Sequence, residues 1–98
     1  MQGQRYESVW DALKDHPEEA ANMRLRSQLM MTLSERVKQW SASQREAGER
    51  LGLTQPRVND LLKGRIHKFS LDALVNLSTH ADMRVEFTVK ERDDTTPA

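Results

Sequence analysis

Ninety-eight residues, 37% of them hydrophobic, can bury one modest core, so the chain reads as a single small domain. The absence of cysteine excludes disulfide frameworks and thiolate zinc sites, and no apolar run approaches a signal segment or membrane span; a cytoplasmic location is the simplest expectation. The formal net charge is zero, but residues 41–69 hold six basic groups (Arg45, Arg50, Arg57, Lys63, Arg65, Lys68) against three acidic ones (Glu46, Glu49, Asp60), whereas residues 70–98 hold three basic against six acidic.

At the start of the chain, Ser8 and Asp11 form a capping signal for a short helix bearing Val9, Trp10 and Leu13, within an N-terminal arm of residues 1–14. Asp15 or His16 then caps a longer helix, whose first turn suits Pro17, Glu18 and Glu19 because the acids meet the positive end of the helix dipole. Leu25, Leu29, Leu33, Val37 and Trp40 recur at helical spacing with Met23, Met30 and Met31 beside them. That pattern predicts a helix of about 20 residues or more with one broad stripe on the core. Ser41, Ala42 and Ser43 break it weakly, and the small Ala42 leaves the junction lightly packed.

The segment Gln44–Lys63, QREAGERLGLTQPRVNDLLK, predicts two short helices joined by a glycine turn. Ser43 can accept from first-turn amides while Glu46, three residues on, reaches back. The first helix should run to about Arg50, with Gly52 at the turn and Leu53 plugging the angle between the helices. Thr54 is a suitable N-cap for the second helix, Pro56 is tolerated where the amide has no intrahelical partner, and Gly64 is a natural stop. On a helical wheel Val58, Leu61 and Leu62 point inward. Pro56, Asn59, Asp60 and Lys63 point outward, with Gln55 and Arg57 on the flanks. An ordinary helical hairpin with a solvated polar face has the same spacing.

Arg65 to Phe69 forms the next loop, and Ser70 caps a further helix through Leu71, Leu74, Val75 and Leu77 that ends at His80–Asp82. Ile66 and Phe69 plug it onto the core. Met83 to Lys90 then alternates apolar and polar, the period of a half-buried strand, and no second strand is legible. A lone strand most economically pairs with its own copy across a two-fold axis, which makes Val85, Phe87 and Val89 the candidate dimer-strand residues. Docking on its own core is the alternative. Glu91 to Ala98 reads as a disordered tail.

No catalytic or metal-ligating constellation is legible. His16, His67 and His80 are far apart and lack ligand spacing, and no nucleophile elbow, phosphate-cradling glycine loop or Walker pattern occurs. The reading is of a protein that is not an enzyme and needs no cofactor or metal.

Gln44, Gly48, Gly52, Val58 and Leu61 fall where the lambda-repressor-like, or XRE, class of helix-turn-helix proteins has its first-helix glutamine, small contact residue, turn glycine and core residues, and the window resembles that class. Gly48 departs from the usual alanine. The wider stretch from about Tyr6 to Lys90, including YESVWDAL, TQPRVNDLLKGRIHKFSLDALVNL and MRVEFTVK, resembles small bacterial XRE proteins close to HigA-type antitoxins.

The resemblance implies a mainly α bundle of about five helices with a helix-turn-helix domain at residues 15–82, its motif at 44–63, and a C-terminal dimerisation strand at 83–90. It also implies a repressor that binds a double-stranded DNA operator, an imperfect palindrome, as a homodimer. By analogy with phage repressors, Gln55, Arg57 and Asn59 would read bases, while Gln44, Thr54, Lys63 and Arg65 would contact the backbone. Asp60 would accept from a cytosine or pair locally with Arg57 or Lys63. Such proteins often neutralise a RelE-like toxin, here through Tyr6 to Leu33. A free-standing or phage-derived repressor without a toxin, or an interaction module that has lost DNA reading, is the alternative.

Overall fold

The computed structural model describes residues 16–91. Four α-helices make up a mainly α bundle: α1 (Pro17–Gln39), α2 (Gln44–Leu51), α3 (Gln55–Leu62) and α4 (Leu71–His80), with a short 3-10 turn at Ile66–Lys68 between the last two. The short helix expected around Ser8 to Leu13, and the tail beyond Glu91, lie outside the described residues.

The long helix α1 begins with Pro17 at its first position and Glu18 and Glu19 in its first turn; His16 is the N-cap residue but makes no side-chain capping bond. Its buried face differs from the expected stripe. Met23, Met30, Leu33 and Val37 are buried, Leu29 and Trp40 pack at the margin, and Leu25 and Met31 are 51% and 62% exposed. The reason is geometric: on a wheel turning about 100° per residue the buried set Met23, Met30, Leu33 and Val37 falls within about 80°, and Leu25 and Met31 lie about 120° to either side of its centre.

Helix α2 begins in a complete capping box. The Glu46 amide donates to Ser43 Oγ at 3.1 Å, and the Ser43 amide donates to Glu46 Oε1 at 3.0 Å. The bond from the Ser43 amide, with the Ser43 side chain adding to it, holds the Glu46 carboxyl below its ordinary range. A carboxyl depressed on folding stabilises the fold at pH above its unfolded pKa, and that contribution fades as pH falls through the folded value.

Gly52 then takes φ of +73° and turns the chain. Only glycine enters that region without a Cβ penalty.

Val58 and Leu61 of α3 are buried and Leu62 packs at the core margin, as the wheel predicts. The end of α3 closes as a Schellman motif, Arg65 N–H donating to the Asp60 carbonyl at 3.0 Å and Gly64 N–H to the Leu61 carbonyl at 3.1 Å. Buried Ser34 on α1 donates its hydroxyl to the same Leu61 carbonyl at 3.0 Å. The Leu61 carbonyl thereby accepts a second hydrogen bond, and α3 is tied to α1.

Ser70 caps α4 through the Ala73 amide at 3.1 Å. Leu74 and Leu77 face the core with Phe69, while Val75 is 38% exposed. Beyond α4, Met83–Glu91 forms neither helix nor strand, and no β-strand occurs among the described residues.

Candidate nucleic-acid interface

Packing of α2 against α3 places the candidate reading surface. Gly48 is the point of closest approach: a Cβ built on it would overlap the Leu53 carbonyl oxygen and lie 3.4 Å from Val58 Cγ2. Leu53 N–H also donates to the Gly48 carbonyl at 2.8 Å. The turn is thus folded tightly onto the last part of α2, and the following helix emerges at an angle set by backbone contacts. Leu53 sits half-buried against the core, consistent with its expected place in the angle.

At the start of α3, Thr54 has the extended backbone of an N-cap, but its hydroxyl makes no capping bond. Thr54 and Gln55 are both exposed, as is Gln44 at the start of α2. Asn59 is half-buried one turn further along α3, and Lys63 stands exposed at its end. Gln55, Thr54, Asn59 and Lys63 therefore lie along one short helix, with Gln44 on the helix packed beneath it.

Two of the candidate residues are engaged within the protein. The Arg57 guanidinium lies 4.1 Å from the Phe69 ring centroid and donates to the Lys68 carbonyl at 2.6 Å. Arg65 pairs with Asp60 at 2.8 Å, so the local partner of Asp60 is neither Arg57 nor Lys63. The Schellman turn folds residue 65 back toward residue 60, while Arg57, three positions away along the helix, is held instead by Phe69 and the Lys68 carbonyl.

The remaining positive charge is similarly divided. Arg45 lies 3.9 Å from Glu49, and Arg50 stacks 3.8 Å from the Trp40 centroid and 3.6 Å from Asp82. These exposed pairs add little stability, but they reduce the field available to a polyanion. Among the described residues, Arg57, Lys63 and Lys68 are the basic groups of segment 41–69 that form no ion pair, and of these Arg57 is held by the Phe69 ring and the Lys68 carbonyl.

Arg26 is the contributor that sequence reading missed. Its Nη1 donates to the carbonyls of Ile66 at 3.2 Å and Phe69 at 3.4 Å, while its Nε donates to Asn22 Oδ1 at 2.7 Å. Nothing in its local pattern marks it, because its partners lie 40 and 43 residues away.

The candidate dimer residues form a second surface. Val85 is 39% exposed, and Phe87 and Val89 are each 83% exposed. Val85 and Phe87 border an apolar groove with Leu25 and Leu29 of α1 and Leu71 and Val75 of α4.

Two short helices meeting at a glycine turn, the second presenting a polar face over a buried apolar one, define a helix-turn-helix. The chain belongs to the family described as a helix-turn-helix domain, whose model matches residues 12–90. Such a domain is a DNA-binding regulatory module and not a catalytic one. A solved structure provisionally described as an XRE family transcriptional regulator is similar at 26% identity and a TM-score of 0.71, the match covering 82% of this chain and 90% of that one. No curated protein matches the chain. The protein is an XRE, or lambda-repressor-like, helix-turn-helix protein related to transcriptional regulators.

Proposed function

We propose that this DNA-binding regulator is a repressor that reads an imperfect palindrome as a homodimer. The observation that carries the reading is the outward polar face of α3, with Gln55 exposed at its first turn. Gln55 reads adenine N6 and N7, Asn59 adds a base contact, and Gln44, Thr54 and Lys63 bind the DNA backbone. The dimer forms through residues 83–90, whose apolar side chains are exposed and whose backbone joins no ladder among the described residues. This division treats residues 15–82 as the reading domain and 91–98 as a tail. Among the described residues no helix is long and apolar enough to cross a membrane, which accords with a cytoplasmic repressor.

Selection from a randomised duplex pool, followed by titration, tests the assignment. Gln55→Ala should lose about 1–3 kcal/mol of binding and relax preference at one base pair. Lys63→Ala should weaken all sequences alike and lower the salt slope by about one. An unchanged sequence preference in Gln55→Ala removes the readout role.

The resemblance of Tyr6–Lys90 to HigA-type antitoxins supports a narrower role, in which the protein neutralises a RelE-like toxin and represses the operon encoding both. Residues 1–14 carry Tyr6, Val9, Trp10 and Leu13, an aromatic and amphipathic set suited to anchoring a partner away from α3. Co-expression with the adjacent small basic gene product should restore growth with the full chain and fail with a variant lacking residues 1–14. Equal rescue and co-purification by the folded, shortened protein would eliminate N-terminal docking, and absence of such a neighbouring gene would favour a free-standing repressor.

A further inference from the structure

We propose that Arg57 is a positioning residue and not a base reader: with Arg26 it clamps the 65–69 loop by its carbonyls, so that Lys68 supplies the loop's contact to the DNA backbone. This rests on the DNA-binding reading above. The two guanidiniums approach from different elements, Arg26 from α1 to the carbonyls of Ile66 and Phe69, and Arg57 from α3 to that of Lys68. Three of the loop's acceptors are thereby neutralised, and the Phe69 ring, 2% exposed, supplies a fixed face for the Arg57 plane.

For Arg57 to reach a base it would have to leave both the ring and the carbonyl. Lys68, by contrast, is exposed and forms no ion pair among the described residues, while neighbouring Arg65 is already paired with Asp60, whose side chain is only 14% exposed. The loop thus presents a lysine held by its own backbone, beside an arginine whose charge is compensated. Phosphate binding from this side falls to Lys68, and the role expected of Arg65 passes to its neighbour.

The test combines amide exchange in the free protein with duplex binding. The Lys68 and Phe69 amides donate to the carbonyls of Arg65 and Ile66 at 3.0 and 3.2 Å, so their exchange reports the loop directly. In Arg57→Gln both should exchange faster, affinity for a 30-bp duplex recovered by selection should fall about tenfold, and the selected sequence should stay the same. Lys68→Ala should lower the salt slope by about one while Arg65→Ala leaves it unchanged.

Should Arg57→Gln lose the fold, Arg57→Lys keeps the charge but lacks the planar fork, and it should loosen the loop in the same way. Wild-type exchange at Lys68 and Phe69 combined with lost preference at one base pair overturns the proposal. A wild-type protein that selects no sequence overturns the phosphate role and the DNA reading together, whereas a slope lowered by Arg65→Ala and not by Lys68→Ala overturns the phosphate role alone.

Discussion

Gly48→Ala is expected to destabilise the protein by roughly 1–3 kcal/mol, a sign opposite to that of the same change in an ordinary helix. In an exposed helix interior alanine is better than glycine by about 1 kcal/mol, because the unfolded chain loses less freedom. Here the added methyl group would meet the Leu53 carbonyl oxygen, and that carbonyl belongs to a turn whose own amide is bonded to Gly48 at 2.8 Å. A backbone held at both sides cannot rotate away as a flexible side chain could. The strain can be relieved only by opening the angle between α2 and α3, which also displaces Gln55 from its position relative to Gln44. Thermal unfolding should show a midpoint about 4–8 °C lower per kcal/mol lost. A midpoint equal to or above that of the unaltered protein would show that the turn yields freely.

Removal of residues 83–98 is expected to leave a folded monomer whose operator affinity is lower by about 100-fold or more, since each half-site would then be bound without the effective concentration supplied by its partner. The centre of the α1–α4 core lies within the helices and the 65–69 loop, where Leu33, Leu61, Leu74 and Phe69 are buried, and of this segment Met83 packs at the core margin. The segment instead carries Phe87 and Val89, almost fully open in the single chain. In the intact protein the two recognition helices should lie about 34 Å apart, matching one turn of DNA. Sedimentation and duplex titration of the shortened protein check both halves of the claim. A dimer persisting at low micromolar concentration would locate the interface elsewhere.

Local signals account for what was legible in advance. The capping box at Ser43, the positive φ at Gly52, the stop at Gly64 and the inward set Val58, Leu61 and Leu62 all depend on residues within one or two turns of each other. What escaped depends on tertiary approach. The exposure of Leu25 and Met31 follows from which side of α1 the other helices cover, and spacing alone gave them the same weight as Leu33. Thr54 illustrates a milder divergence, since its backbone caps α3 while its hydroxyl does not. Gly48 departs from the usual alanine of the class it resembles, yet the approach of the Leu53 carbonyl makes glycine the residue that fits. For the candidate site, Gln55 and Lys63 occupy the exposed positions that a helical wheel gives them, whereas the engagement of Arg57 with Phe69 and Lys68 spans a loop that no wheel describes.

Helix α3 is only eight residues long, and isolated helices shorter than about 12–15 residues are marginal in water. Its persistence therefore depends on the Ser34 bond at one end and the Gly48 turn at the other, both of which exist only when the core is closed. Formation of α3 is thereby coupled to closure of the core, so DNA reading through α3 would require the native state. A duplex present at 100 times its dissociation constant would add about 2.7 kcal/mol to the free energy of opening, so the occupied protein would be cleaved by cellular proteases more slowly than the vacant one. Turnover of the protein would then track the number of empty DNA sites, so that occupancy of DNA would itself set how much of the regulator persists.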